Sequence, residues 1–242
     1  MDVHSVARQL TDWLKQQVAA AGCQGVIYGL SGGIDSAVVG ALAQRAFGKQ
    51  AWGVIMPCHS DPQDAIDGVL CAEALDLEYF TVDLSDTFDQ LCHALGVTED
   101  TSHLVLANLK PRLRMTTLYY YAAMRKLLVL GTSNRSELTI GYFTKHGDAG
   151  VDLMPIAGLV KHQVWELAAS LGIPQSIIDK KPSAGLWAGQ YDEQEMGISY
   201  SQLDQYILTG SASKEVQAVV DRLHRGSEHK RRLPLAPNIP IR

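Results

Sequence analysis

Residues 29 to 36 combine the residue types of a phosphate-binding turn with a single carboxylate. The octet reads Gly29-Leu30-Ser31-Gly32-Gly33-Ile34-Asp35-Ser36. It follows a short apolar run and precedes a helical pattern, which predicts a tight turn between a strand and a helix. Glycines let backbone N–H groups approach an anion at a helix N-terminus, and the serines add hydroxyl donors. The turn is not a Walker A loop, because no Gly-Lys-Ser/Thr follows at the required spacing.

Asp35 makes this turn unusual, because a carboxylate repels phosphate unless a divalent cation lies between them. A second carboxylate, Glu137, follows another apolar run, six residues after Gly131. One interpretation of the segment from Thr132 to Glu137 is an ordinary helix cap with Glu in the first turn. The other interpretation pairs Glu137 with Asp35 as a magnesium site and lets Thr132 face the phosphates.

The elements that position these residues follow from hydrophobic periodicity. The patterns predict strands at 25–30, 52–56, 78–84 and 126–132, with an opening helix around Val6 to Val18 and Ser133 as the cap of the helix through Glu137. Further helices are predicted at 37–47, 64–75, 85–95, 113–124, 161–171, 201–208 and 214–225. Alternation of strands and helices predicts an α/β fold with a doubly wound parallel sheet and helices on both faces. Ligands of such a sheet bind beyond the carboxyl ends of its strands, so the segments at 29–36, 57–61 and 132–137 should share one crevice.

Two long stretches break this pattern, at 141–158 and 182–197. Glycines and a mixture of aromatic and charged residues favour loops, and loops of this length in a compact domain are usually functional or disordered. We expect both stretches to close over bound ligands as lids, which would keep water from a reactive intermediate.

The bulk properties exclude several classes of protein. The chain has 242 residues and a net charge of −5, which predicts one domain over residues 1–242 and argues against a nucleic-acid partner. Its four cysteines form no Cys-x-x-Cys pair and are interpreted as reduced thiols. The polar first helix and the lack of a long apolar run argue against a signal peptide and a membrane partner. We therefore expect a cytoplasmic protein.

The turn at 29–36 resembles the pyrophosphatase loop of the N-type ATP pyrophosphatases, which have an adenine nucleotide alpha-hydrolase-like, Rossmann-like fold. A longer segment from Phe143, Phe-Thr-Lys-x-Gly-Asp-x-Gly-x-Asp followed by Leu-Met-Pro-Ile, is similar to the ammonia-dependent NAD synthetases within this group. Three shorter segments are similar to the same family: 108–115, 196–200 and 228–230. The resemblance spans about Leu10 to Arg232.

The resemblance implies a role for each matched position. ATP would contact the whole of the octet, from Gly29 to Ser36, together with Thr132, Lys161 and Ser183. Deamido-NAD would contact Arg112, Lys145, Asp152, His229 and Lys230. Magnesium would be held by Asp35 and Glu137, and Asp35 and Lys161 would be the catalytic pair. Gly185 stands where many relatives carry an Asp, so it is not assigned to the site.

The function implied by the resemblance is amidation of deamido-NAD to NAD. ATP would adenylate the nicotinate carboxylate with release of pyrophosphate, and ammonia would displace AMP. We expect ammonia to come from solution, because none of the four cysteines lies in a glutaminase context, and we expect a homodimer. The alternatives are another N-type ATP pyrophosphatase, such as a GMP-synthetase-like enzyme, and a non-catalytic nucleotide sensor.

Overall fold

A four-stranded parallel sheet forms the centre of the protein. The computed structural model describes residues 1–187 and 189–237, and its strands are ordered β3-β2-β1-β4. The strands are β1 (Gly25–Gly29), β2 (Ala51–Ile55), β3 (Glu78–Thr81) and β4 (Leu127–Leu130). Each pairing in the sheet is parallel. Residues 238–242 lie outside the described part of the chain.

Helices cover both faces of this sheet. They are α1 (Val3–Ala20), α2 (Ile34–Phe47), α3 (Pro62–Ala74), α4 (Ser85–Ala94), α5 (His103–Ala107), α6 (Leu109–Arg125), α7 (Arg135–Ile140), α8 (Lys161–Leu171), α9 (Gln175–Ile178), α10 (Asp192–Met196), α11 (Tyr200–Thr209), α12 (Lys214–Gly226) and α13 (Glu228–Arg231). No helix among them is both long and apolar enough to cross a membrane.

The side chains of β1 show how the two layers form. Val26 and Tyr28 belong to the core that contains α1, α2 and α8, whereas Ile27 belongs to the core beneath α6. Successive side chains of a strand point to opposite faces, so one apolar strand supplies both cores. The predicted doubly wound α/β sheet is therefore confirmed.

A third, smaller core lies in the second half of the chain. Ile140, Met196, Tyr200 and Leu203 are buried together with Val216 and Val220, which joins α7, α10, α11 and α12. These helices surround the carboxylate-bearing segment that follows β4. The helices predicted at 201–208 and 214–225 are confirmed to within one residue at each end.

Several predicted boundaries are wrong. The strands predicted at 78–84 and 126–132 end at Thr81 and Leu130. The helix predicted at 113–124 begins at Leu109. Pro111 lies in its first turn, where backbone N–H groups have no intrahelical partner, so the N–H that proline lacks is not needed. The irregular stretch predicted at 182–197 contains α10, whose first turn carries Asp192 and Glu193 and whose end is Gly197 in the left-handed region. Acidic residues are favourable at a helix N-terminus, and glycine ends a helix readily.

Candidate active site at the carboxyl ends of the strands

The turn at 29–36 connects β1 to α2 and packs tightly on α3. Gly32 has φ 76°, and a Cβ added there would lie 2.3 Å from the backbone oxygen of Asp64. Only glycine satisfies both the positive φ and the close approach. This contact fixes the turn against α3 and directs the rest of it toward the cleft.

Hydrogen bonds between the two serines close the turn on itself. The Ser36 hydroxyl donates to the backbone oxygen of Gly33 at 2.8 Å and accepts from the Ser31 amide at 3.2 Å. Gly33 is the N-cap of α2 and supplies no capping side chain. The first-turn amides of α2 are consequently left for a ligand, as in the anion cradle that the sequence predicts.

Lys161 lies between the two carboxylates that the sequence singled out. Its Nζ is 2.5 Å from Asp35 Oδ2 and 3.7 Å from Glu137 Oε1. Lys161 is 2% exposed, and the carboxylates are 17% and 15% exposed. The residues come from three different elements, α2, α7 and α8, and meet at the end of β1.

Burial and mutual repulsion perturb the protonation of this group. Burial and the neighbouring Asp35 raise the pKa of Glu137 to about 8, although Lys161 opposes the shift. Burial alone would lower the pKa of Lys161, but Asp35 and Glu137 outweigh it and hold the ammonium form. Such displaced values are typical of functional sites.

Asn134 fixes the positions of Asp35 and Glu137 relative to each other, and the sequence analysis missed it. Its Nδ2 donates to Asp35 Oδ1 at 3.0 Å, and its Oδ1 accepts from the Glu137 amide at 3.0 Å. Glu137 in return accepts from the Asn134 amide at 3.3 Å, which completes a capping box. The prediction that Ser133 caps this helix is therefore wrong. Ser and Asn are nearly equally favourable as N-cap residues. Which of the two caps α7 depends on the path of the chain after β4, which the sequence does not show.

A second hydrogen-bond network fixes the backbone beneath Lys161. Ser136 Oγ accepts from the Lys161 amide at 3.1 Å and donates to Asp204 Oδ1 at 2.5 Å. Asp204 Oδ2 accepts from the His162 amide at 2.7 Å. The N-terminus of α8 is thereby held by a buried carboxylate of α11, which positions Lys161 relative to Glu137.

Asp192 is a further buried carboxylate at this site, and the sequence analysis did not assign it. It is 4% exposed, and its Oδ2 accepts from the Tyr200 hydroxyl at 2.9 Å. The same hydroxyl lies 3.5 Å from Glu137 Oε1. Burial raises the pKa of Asp192. The signal in the sequence is the acidic pair Asp192-Glu193, a pattern that is typical of the first turn of a helix and does not indicate a buried site.

These groups line one cleft of about 760 Å³ at the carboxyl ends of the strands. Every member of the octet except Gly32 lines it, as do Thr132, Lys161, Ser183 and Glu137. Residues of the segment at 57–61 line it as well, so the predicted convergence of three segments is confirmed. A cleft of this size suits a nucleotide-sized ligand.

Arg114, which lines the cleft, and Lys110, which binds two loops beside it, were also not assigned from the sequence. Lys110 Nζ donates to the backbone oxygens of His59 at 3.2 Å and Leu186 at 2.8 Å, which ties the loop after β2 to the loop before α10. Arg114 donates to the Met56 backbone oxygen at 3.1 Å and to Ser60 Oγ at 2.9 Å. Burial lowers the pKa of both side chains.

The five positions expected to contact the dinucleotide are distributed differently. Lys230 lines the cleft, and its Nζ donates to the backbone oxygens of Gly141 and Phe143 at 2.8 and 2.7 Å. The other four lie outside the lining: Arg112, Lys145, Asp152 and His229. The Arg112 guanidinium donates to the Lys145 backbone oxygen at 3.4 Å. Asp152 accepts from the Val129 amide at 2.8 Å and from the Tyr119 hydroxyl at 3.0 Å, beside β4.

The model of the NAD synthase family matches residues 6–234. The chain belongs to this family. The match covers every strand and all the residues of the cleft. The resemblance found in the sequence is therefore confirmed.

Curated relatives of this NAD synthase chain agree over nearly its whole length. It is 50% identical over 231 residues to the NH3-dependent NAD+ synthetase of Carboxydothermus hydrogenoformans, covering 95% of each chain. It is 46% identical over 233 residues to that of Finegoldia magna, covering 96% of this chain and 95% of the relative.

Solved structures that are similar to this chain carry two kinds of named activity. The NMN synthetase of Francisella tularensis superposes with a TM-score of 0.94 at 36% identity, covering 99% of this chain and all of that one. The NH3-dependent NAD synthetase of Campylobacter jejuni, in complex with nitrate, superposes with a TM-score of 0.81 at 29% identity, covering 98% of this chain and 100% of that one.

The carboxylates of the cleft fit a magnesium ion that also binds substrate phosphates. Asp35 and Glu137 face each other across Lys161, and Mg²⁺ in nucleotide sites uses one or two carboxylates with water and phosphate oxygens. A dedicated cage of three or more His, Cys, Asp or Glu side chains does not occur within residues 1–187 and 189–237. The donor set therefore fits a metal that arrives with a nucleotide.

Proposed function

We propose that this NAD synthase amidates deamido-NAD to NAD with ATP and ammonia. The nicotinate carboxylate attacks the α-phosphorus of ATP, pyrophosphate leaves, and ammonia displaces AMP from the adenylated intermediate. The observation that carries the proposal is the Asp35–Lys161–Glu137 group, which lies beside the phosphate-binding turn in one cleft. The family membership and the curated NH3-dependent relatives support the same reaction.

The chain's own groups are proposed to stabilise charge on the departing pyrophosphate. The first-turn amides of α2 and the Ser31 hydroxyl bind phosphate oxygens, and Thr132 and Ser183 contact the nucleotide from the facing loops. Lys161 supplies a buried ammonium at the point where negative charge accumulates. Asp35 and Glu137 would hold Mg²⁺, which supplies Lewis-acid stabilisation of the phosphates when bound.

We propose that the protein works as a homodimer, with Arg112, Lys145, Asp152, His229 and Lys230 contacting the dinucleotide. Four of these five lie outside the cleft of one chain, so a long dinucleotide would extend beyond it. Tyr120 and Met124 on α6 are 60% and 65% exposed, and an interface there would cover them. Light scattering after size-exclusion chromatography tests this proposal, and a monomer at micromolar concentration would contradict it. The four free thiols support a reducing, cytoplasmic location.

A second acceptor is favoured by one observation, the TM-score of 0.94 against an NMN synthetase. Nicotinate mononucleotide carries the same reacting carboxylate without the adenylate half. The chemistry of the cleft is identical for both acceptors, so only the residues beyond it can discriminate between them.

Competition between the two acceptors tests the proposal. The purified protein is incubated with ATP, MgCl2 and NH4Cl and with deamido-NAD or nicotinate mononucleotide, and the amide product, AMP and pyrophosphate are quantified. We expect a higher kcat/KM for deamido-NAD, with one AMP per NAD. Preference for the mononucleotide would change the assignment to NMN synthesis. ATP binding with no pyrophosphate release with either acceptor would favour the nucleotide sensor, and turnover with xanthylate alone would favour a GMP-synthetase-like enzyme.

A further inference from the structure

Glu137 lies in the middle of α7, a helix of six residues. Its backbone amide donates to the Asn134 side chain at the N-cap, at 3.0 Å. Its backbone oxygen accepts from the amides of Gly141 and Tyr142, beyond the other end of the helix. Isolated helices of this length are unstable in water, so loosening of either end would displace the Glu137 carboxylate.

Basic side chains of the last two helices donate to the carbonyls at the C-terminal end of α7. Arg231 Nη1 donates to the Leu138 backbone oxygen at 3.3 Å. His224 Nδ1 lies 2.6 Å from the Thr139 backbone oxygen, and it must carry the proton because a carbonyl can only accept. Lys230 Nζ donates to two backbone oxygens of the loop that follows. Cations are favourable at this end of a helix, where the carbonyls lack intrahelical donors.

The end of α7 also packs closely against the start of α13. Gly141 has φ 71°, and a Cβ added there would lie 2.1 Å from Ser227 Cβ. Ser227 is 6% exposed, and its hydroxyl accepts from Arg231 Nη1 at 2.8 Å. Only glycine permits this approach, which holds Arg231 and His224 at the carbonyls of α7.

We propose that Arg231 and His224 are positioning residues for Glu137. This inference rests on the proposed magnesium role of Glu137. By fixing the C-terminal carbonyls of α7, the two side chains keep the short helix intact and hold the Glu137 carboxylate beside Lys161, whose Nζ is 3.7 Å away. Neither Arg231 nor His224 lines the cleft, so each acts through α7.

Loss of these contacts can loosen α7 without unfolding the protein. Local opening weakens the binding of any ligand that needs the opened segment. A fall in global stability, in contrast, leaves affinity unchanged as long as nearly all molecules remain folded. An effect on nucleotide binding that is confined to the magnesium-bound state therefore distinguishes positioning of Glu137 from a general structural role.

Nucleotide binding by Arg231→Met with and without magnesium tests the proposal. The probe is α,β-methylene-ATP, which cannot be cleaved between its α and β phosphates, titrated calorimetrically in MgCl2 or in EDTA well below the unfolding temperature. Methionine keeps an unbranched side chain and removes every donor. We expect the Kd in MgCl2 to rise about fivefold, the effect of one lost hydrogen bond, and the Kd in EDTA to stay close to that of the unmodified chain.

Arg225→Met is the matched control. Arg225 is an exposed arginine of α12, and its Nε donates to the Asp221 backbone oxygen of the same helix at 3.2 Å. We expect this variant to leave both Kd values unchanged, and Arg231→Lys, which keeps a donor, to recover part of the loss. Equal Kd values in MgCl2 for Arg231→Met and Arg225→Met would overturn the proposal. An equal rise in MgCl2 and in EDTA would do the same, by assigning Arg231 a general structural role.

A second variant covers the case in which Arg231→Met does not fold, as judged by its thermal unfolding. His224→Phe removes the donor to Thr139 and should give the same magnesium-specific rise in Kd, and an unchanged Kd would overturn the proposal.

Failure of the positioning role and failure of the proposed function give different results. If magnesium does not tighten binding of the analogue to the unmodified chain, the magnesium role of Glu137 fails, and the positioning role fails with it. If the unmodified chain binds the analogue but makes no amide product from deamido-NAD, the proposed amidation fails. A magnesium-specific effect of Arg231→Met would still support positioning in that case.

Discussion

Replacement of Lys161 by methionine should destabilise the protein by an amount that depends on pH. Removal of one partner of a buried ion pair typically costs about 3–5 kcal/mol, because the remaining charge is left uncompensated. Lys161 is 2% exposed, while Asp35 and Glu137 retain 17% and 15% exposure to water. Asp35 also keeps its hydrogen bond from Asn134. We therefore expect the low end of that range, about 3 kcal/mol near pH 8.

The pH dependence follows from the raised pKa of Glu137, about 8 in the folded protein against an ordinary value of 4.5. A carboxyl group with a raised folded pKa stabilises the fold fully below its unfolded pKa, and this contribution is lost as pH rises through the folded pKa. Lys161 lowers the pKa of Glu137, so its removal raises that pKa further. In Lys161→Met the loss consequently continues to higher pH, and the destabilisation should be larger at pH 9 than at pH 6.5.

Urea denaturation of both proteins at pH 6.5 and 9, without nucleotide or magnesium, measures these free energies of unfolding. The control is Lys180→Met, in which the lost lysine bridges Asp64 at 2.9 Å and Asp67 at 2.5 Å and is 28% exposed. Its loss should cost only about 1 kcal/mol. A cost for Lys161→Met that is equal to the control, or that shrinks toward pH 9, would refute the reasoning.

Two further predictions concern turnover and one concerns magnesium binding. Asp35→Asn should lower kcat by about 10²-fold or more with little change in the KM for ATP, because the site stabilises charge mainly as pyrophosphate departs. Steady-state kinetics at saturating MgCl2 measure both constants, and a near-normal kcat would contradict this prediction. Magnesium affinity in the presence of ATP should rise between pH 6.5 and 8, because Glu137 with its pKa near 8 must lose a proton to bind the metal, and a flat isothermal titration profile over this range would exclude Glu137 as a ligand. Ammonium should support NAD formation by this chain and glutamine should not, and efficient use of glutamine by the ammonia-free protein would reveal a second active site.

The sequence predicts the fold and the phosphate-binding half of the cleft because both depend on local patterns. Each of the patterns used can be recognised within about ten residues of chain: the strand periodicity, the glycines of the turn and the segment after β4. The parallel topology then brings Asp35 and Glu137 to the same edge of the sheet without further information. Lys161, in contrast, was assigned from the family resemblance, since its contact with Asp35 spans 126 residues of chain.

The groups that complete the site carry no such local pattern. Asn134 was missed because the neighbouring Ser133 is an equally good N-cap residue. Which residue caps the helix depends on the position of the chain at the end of β4. Arg114 resembles any helical arginine, and only its burial against the loop after β2 distinguishes it. Such residues become recognisable only when partners distant in sequence are known.

Asp192 shows how a tertiary contact changes the meaning of a sequence feature. In the sequence it lies within the stretch at 182–197 that was predicted to be a loop, where a solvated carboxylate is the ordinary interpretation. The packing of α10 against α11 buries Asp192 beneath Tyr200. A hydrogen bond from the Asp192 amide to the Pro182 backbone oxygen, at 3.2 Å, holds the residue at the cleft. The same side chain then has one oxygen held and one oxygen free. Burial makes that oxygen costly unless a ligand of the cleft donates a hydrogen bond to it, and this cost cannot be recognised from the sequence around Asp192.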